Sequence, residues 1–327
     1  MTFVYIQNPI SSTTLQERVE FVSDQLGLQP KELHSFNPHL KKKQIVLHLP
    51  KTFEKFIDHT NLNVQLKSKE VQQLCADAIK YQFRGVCVHS TKIKQVHSLL
   101  KNTDLRICTL IGSFPESNAI EGQLIQAKIA LKSGANELDI VLSTSKILNN
   151  EYNELYQHLK SFESILTEGS QLNVILETGE LDTPQIIDAC LISICANVKC
   201  VKAIQKFGSR GSSRKNIRLI KFLVGLNRHV QSFDQFSNPK SVWDMINNGA
   251  QRIGTNNGIE LLNSNAKIKY RHNSNKNKNK ELTNKKSLLS KQKQKEKKKE
   301  RIKDLAYVFG LSFTTSLIIG NITKKLK

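Results

Sequence analysis

The sequence predicts an α/β chain built on a (β/α)8 TIM barrel. Two observations lead there. Between residues 53 and 262, eight short apolar runs alternate with longer amphipathic stretches, and the alternation repeats at roughly regular intervals along the chain. Apolar run followed by amphipathic stretch, repeated, is the pattern of parallel βα units, and eight such units favour closure over an open sheet. A chain of 327 residues has room for one barrel with smaller pieces at each end.

The runs place strands at residues 55–58, 85–88, 106–111, 137–142, 172–178, 198–203, 229–232 and 252–254. Between them, helical spacing puts Val71, Leu74, Cys75 and Ala78 on the inner face of a helix over 70–81. A second such helix spans 123–132, with Leu124, Ala127, Ile129 and Leu131 inward.

Four segments follow from composition: 1–50, a small module; 51–265, the barrel; 266–304, a basic linker; and 305–327, an apolar C-terminal segment. In the first, Ser11-Ser12-Thr13-Thr14 offers an N-cap, and Leu15, Val19, Val22 and Leu26 recur at helical spacing. Gly27 closes that helix, Pro30 opens another with Leu33 and Phe36 inward, and Ile45 to Leu49 reads as a strand, giving the order strand, helix, helix, strand. Thr14-Leu15, Leu26-Gly27, Leu33, Asn37-Pro38 and Leu49-Pro50 make this segment resemble a LysM module. It lacks the Gly-Asp that the family places before its first helix, so the reading stops at a packing or interaction module.

The net charge of +21 belongs mostly to the tail, since 19 basic and only 4 acidic residues follow position 266. A polyanion-binding face on the barrel is therefore not expected, nor is nucleic acid as a partner. Residues 305–322 are uncharged and, as a helix, would span about 27 Å, enough for a membrane anchor on a thin bilayer. A helix lying on a protein or membrane surface is the competing reading. The six cysteines sit in apolar segments without a disulfide or zinc spacing, and the N-terminus has no secretory pattern. Both features point to reduced thiols and a cytoplasmic chain, tail-anchored to the cytosolic face of a membrane if the last segment inserts.

Catalytic groups of such barrels sit at the C-terminal ends of strands. The first strand reads Ile57-Asp58-His59-Thr60, the second Val86-Cys87-Val88-His89, the fourth Glu137-Leu138-Asp139-Ile140-Val141, and the sixth ends Val201-Lys202. A lysine and an aspartate inside apolar strands are costly unless paired or used, so Asp139 and Lys202 are the candidates for chemistry. A structural ion pair would account for them equally well. Used chemically, the lysine could add to a carbonyl and form a Schiff base, with the carboxylate moving protons.

Ile-Asp-His-Thr, Val-Cys-Val, Glu-Leu-Asp-Ile-Val, Ile175-Leu176-Glu177-Thr178-Gly179-Glu180-Leu181 and Val-Lys occur in the order and spacing of deoxyribose-phosphate aldolases. From Phe53 to Leu262 the chain resembles that family. The resemblance implies reversible cleavage of 2-deoxyribose 5-phosphate to glyceraldehyde 3-phosphate and acetaldehyde, without metal or cofactor. It implies Lys202 as the Schiff-base residue, Asp139 as proton relay, Asp58 and Cys87 near the substrate, and Gly211, Gly254, Asn256 and Asn257 in phosphate-facing loops. Its partners would be a small phosphorylated sugar or aldehyde and further copies of itself.

Departures fall late in the barrel. The family's second lysine, on strand seven, is replaced by Gln231, and its Gly-Gly by Asp234-Gln235; the loop after Lys202 reads Ala203-Ile204-Gln205-Lys206. Without a neighbouring ammonium, only desolvation around Lys202 or the nearby Lys206 is left to lower the Lys202 pKa, and each compensates in part. Lys206 and Arg210 are the candidate counter-charges for a phosphate. Two functions stay open: an aldolase, altered in substrate or rate, and a silent barrel used as a scaffold.

Overall fold

The computed structural model describes residues 2–41, 43–112, 119–204 and 213–264. The chain divides into two units, Met1–Asn265 and Ala266–Lys327, and the described residues all belong to the first. The linker, the apolar C-terminal segment, and Lys206, Arg210 and Gly211 lie outside them. Among the described residues no helix is long and apolar enough to cross a membrane.

The N-terminal segment forms β1 (Thr2–Gln7), α1 (Ser12–Gln25), α2 (Pro30–Phe36) and β2 (Gln44–Leu49), the expected order. Ser11 caps α1 by accepting from the Thr14 amide, and Gly27 ends it at φ +65°, a left-handed conformation that glycine adopts without strain. β1 and β2 pair antiparallel, Tyr5 against Val46, with Ile6, Ile45 and Leu47 buried on one face and Phe3, Tyr5 and Val46 exposed on the other.

The barrel follows as β3 (Ile57–Asn61), α3 (Ser68–Lys80), β4 (Gly85–His89), α4 (Ile93–Leu100), β5 (Arg106–Ile111), α5 (Ile120–Lys132), β6 (Glu137–Val141), α6 (Thr144–Leu148) and α7 (Tyr152–Glu163). It continues with β7 (Gln171–Glu177), α8 (Thr183–Cys195), β8 (Cys200–Ile204), α9 (Arg214–Val224), β9 (His229–Phe233), α10 (Pro239–Asn247) and β10 (Arg252–Thr255). All eight strands, β3 to β10, are parallel, and β10 pairs with β3 to close the ring. The expected strand at 55–58 begins later, because residues 54–56 form a 3-10 turn and Asp58 must pair with both Gly85 and Gly254.

One helix face differs from expectation. On α5 the buried residues are Gln123, Ala127 and Ala130, at helical spacing, whereas Ile129 is 61% exposed. Leu124 and Leu131 only flank the core. The bulky residues had suggested a face that the 3.6-residue period rotates partly toward solvent.

Helix α8 is buried along nearly its whole length, from Ile186 to Cys195. A helix apolar all round needs cover on its outer side as well, and the N-terminal module supplies it: Arg18 of α1 donates from Nε to Asp188 Oδ1 at 2.7 Å, and Asp188 Oδ2 also accepts from Tyr152 at 2.7 Å. Asn37 donates to the Leu223 carbonyl at the end of α9.

The N-terminal end of the barrel is filled by charge rather than by hydrocarbon. Arg252, fully buried, donates to Asp58 at 2.9 Å and to Glu137 at 2.6 Å; Arg84 bonds the same two carboxylates, and Arg106 reaches Glu137 at 3.2 Å. Burial pushes both carboxyls up, but Arg252 and then Arg84 outweigh it, and both are held below the ordinary carboxylate range.

Candidate active site

Above that ionic layer the inward residues of the next turn are mixed. β3 offers Thr60, β4 Cys87, β5 Cys108, β6 Asp139, β7 Ile175, β8 Lys202 and β9 Gln231: Thr60, Cys108 and Asp139 stand two residues beyond Asp58, Arg106 and Glu137, Cys87 pairs with Thr60 and Cys108, and Ile175, Lys202, Gln231 and Arg252 pair in a row. A final layer of Leu62, Leu110, Ile204 and Phe233 makes the wall of a cavity whose floor is Lys202, Asp139, Cys87, Gln231 and Thr60. Leu110, Val141, Ile175 and Ile204 form an apolar cluster of their own, separate from the main core.

The central contact is Lys202 Nζ donating to Asp139 Oδ2 at 2.6 Å, with both side chains 4% exposed. Nζ also lies 3.4 Å from Cys108 Sγ, and the Cys87 thiol faces Asp139 Oδ2 at 3.9 Å. Asn173 fixes the carboxylate from below, donating to Asp139 Oδ1 at 2.9 Å and to Glu137 at 3.1 Å. The Lys202–Asp139 pair is thereby tied to the ionic layer.

Electrostatics overturn one expectation. A depressed lysine pKa was required, and burial does push Lys202 down, but the Asp139 carboxylate outweighs it and holds the ammonium above its ordinary 10.5. The resting lysine is therefore an ammonium. For the amine to attack a carbonyl its proton must leave first, and the nearest acceptor is Asp139 itself.

Cys87, Cys108 and Asp139 bring metal-type donor atoms within 4.8 Å of one another. Lys202 Nζ bonds to two of the three and fills the place of a cation. Burial, the first cause, keeps the Cys108 thiol well above its ordinary pKa and so protonated. All six cysteines are buried and free.

Of the residues picked out in the sequence, Lys202, Asp139 and Cys87 meet in the cavity. Asp58 does not: it sits one layer deeper, 1% exposed, with its oxygens taken by Arg84 and Arg252. Gly254 lies beside Gln231 and Phe233, whose side chains occupy the space a Cβ would need. Asn257 donates to the Phe236 carbonyl and accepts from Thr255 Oγ1, each at 2.6 Å, so its amide ties two loops together. Asn256 is exposed. His59, from the first motif, faces outward against Phe83.

Cys108, Asn173, Arg252 and Arg84 were not singled out in the sequence. Period-two alternation puts Asn173 on the inward face with Ile175 and Cys108 with Leu110, but only the register across the sheet brings them to Asp139 and Lys202.

A closed parallel barrel with a buried lysine held against a carboxylate at its C-terminal mouth is an aldolase architecture, and comparison agrees. Residues 52–213 match the model of the DeoC/LacD family aldolases. The deoxyribose-phosphate aldolase of Mycoplasmopsis pulmonis is 34% identical over 210 residues, covering 64% of this chain and 94% of that one. That of Caldanaerobacter subterraneus is 31% identical over 230 residues, covering 68% and 96%. Among solved structures, a putative deoxyribose-phosphate aldolase from Coccidioides immitis shares the fold at TM-score 0.65 and 22% identity, over 79% of this chain and 99% of that one. The chain belongs to the deoxyribose-phosphate aldolase family, and it is an aldehyde-lyase of the aldolase class.

Proposed function

We propose that Lys202 forms a Schiff base with acetaldehyde and that the chain runs the reversible cleavage of 2-deoxyribose 5-phosphate to glyceraldehyde 3-phosphate and acetaldehyde, the reaction its relatives are named for. The observation that carries this reading is the 2.6 Å contact of Lys202 with Asp139 on the floor of an otherwise apolar cavity. In the cleavage direction, Asp139 accepts the ammonium proton and the free amine adds to the sugar carbonyl. Asp139 gives that proton back as water leaves and the iminium forms. The iminium draws the electron pair of the breaking C–C bond while the hydroxyl on the departing carbon gives up its proton, directly or through water, to Asp139, which then protonates the enamine carbon. Cys87 and Cys108 pack around the reacting nitrogen, and the Gly254-Thr255-Asn256-Asn257 turn supplies the rim facing the phosphate end.

Borohydride reduction in the presence of acetaldehyde tests this: an ethyl group on Lys202 is expected in the full chain, and none in Lys202→Ala. Labelling elsewhere, with Lys202 unmodified, removes that residue from the mechanism. Because the Aeropyrum pernix relative is described as tetrameric, the proposal includes self-association, for which light scattering at the monomer mass is the contrary result.

A further inference from the structure

Gln231 stands on β9 in register with Lys202 on β8 and lines the same cavity. Its side chain is buried, at 1% exposure, and its Oε1 has no hydrogen-bond partner among the described residues. Its Nε2 lies over the backbone of Gly254. A buried amide oxygen without a partner is a costly group to retain, and a leucine or methionine would fill the same space without that cost. The oxygen points to a ligand that brings a proton.

Resting on the Schiff-base reading above, we propose that Gln231 Oε1 accepts a hydrogen bond from the hydroxyl of the carbinolamine on Lys202, making Gln231 a further catalytic residue. The chemistry balances. The proton of the Lys202 ammonium passes to Asp139, the amine forms the N–C bond with the aldehyde, and its remaining extra proton moves to the former carbonyl oxygen, giving a neutral hydroxyl. That hydroxyl donates its hydrogen to Gln231 Oε1 and presents a lone pair to Asp139. Asp139 protonates it, the C–O bond breaks, water leaves, and the iminium forms with Asp139 again ionised. No oxidant, metal or second cofactor enters.

An ammonium at position 231 could only donate, and would favour the negative oxygen of an addition step. An amide oxygen favours the protonated adduct that precedes dehydration, so the residue here selects a different moment of the same reaction. The substrate class is unchanged: any small aldehyde whose addition product carries a hydroxyl on the carbon bonded to Lys202 makes the contact.

The test uses the full chain, acetaldehyde and cyanoborohydride, with the rate of ethylation at Lys202 followed by mass spectrometry as a function of aldehyde concentration. Gln231→Met keeps the length of the side chain and removes the acceptor. The limiting rate is expected to fall about tenfold, the worth of one buried hydrogen bond. The half-saturating aldehyde concentration should stay unchanged, because the contact forms only after addition. The melting temperature should hold or rise, since no structural bond is lost. An equal limiting rate in Gln231→Met overturns the inference alone, and so does a lowered melting temperature, which would mean that the oxygen serves the fold. Absence of any adduct in the unaltered chain overturns the Schiff-base reading and this inference together.

Discussion

Replacing Asp139 by asparagine removes the charge that Lys202 is bonded to while keeping the side chain's size and its hydrogen bond from Asn173. The ammonium then sits 3% exposed with only the Cys108 sulfur, at 3.4 Å, as partner. Deleting one member of a buried ion pair costs about 3–5 kcal/mol, a large share of the stability of an ordinary domain. The lysine can avoid part of that cost by losing its proton. With the carboxylate gone, burial is the leading influence left on its pKa and drives it below the ordinary 10.5, where Asp139 had held it above.

The sign of the pH dependence follows. In the unaltered chain the folded pKa is raised, so the contribution of the pair is full below 10.5 and is lost only as pH climbs through the folded value. In Asp139→Asn the folded pKa is depressed, the unfolded chain binds more protons between that value and 10.5, and stability should climb with pH across this window. Urea unfolding of both proteins at neutral and alkaline pH measures it, alongside retro-aldol turnover. An Asp139→Asn chain as stable as the parent at neutral pH, with no rise toward alkaline pH and with turnover intact, would show that the pair is neither buried nor catalytic in the way described. Lys202→Met combined with Asp139→Leu should recover much of the lost stability without recovering turnover, because neither charge is then left unpaired.

Three other outcomes can be checked. Arg252→Met strips one partner from each of the buried carboxylates Asp58 and Glu137, and should destabilise by at least about 3 kcal/mol in chemical unfolding, unlike a substitution at an exposed arginine. Asp188→Ala cuts the clamp between α1 and α8, at about 2–3 kcal/mol, and should quicken proteolytic cleavage within the first fifty residues; an unchanged digestion pattern would mean that the module holds on without it. Lys221, fully buried against the Gly225 and Arg228 carbonyls, is pushed down by burial to about 7 from 10.5, so the unfolded chain binds the extra proton between those values and stability rises with pH across that interval. Lys221→Met removes that slope, and parallel stability curves for the two proteins would refute the assignment.

Much of the barrel was legible because buried parallel strands and amphipathic helices leave different periods in the text, and Gly85 to His89 or Arg106 to Ile111 can hardly be anything but strands. Lys202 and Asp139 stood out because a charge inside an apolar run demands an account. Asp58, expected near the substrate from the family resemblance, belongs instead to the ionic layer below the cavity: sequence reveals that a charge is inward, but not at what depth. The partners that fix Asp139 are an asparagine on a neighbouring strand and a thiol on another, and their relation depends on register across the sheet, which no single segment contains. Lys202's raised pKa was hidden for a similar reason. It results from a 2.6 Å approach between residues 63 positions apart.

The all-round apolarity of α8 carries a practical lesson for anyone dissecting the chain. Trimming to the catalytic ring alone, as the family match beginning at residue 52 invites, would strip the lid from a run of isoleucines, leucine and cysteines and leave it in water. Such a fragment should clump on expression, with exposed thiols free to cross-link, while the longer polypeptide stays dispersed. The first fifty residues would then be a solubility requirement of the enzyme.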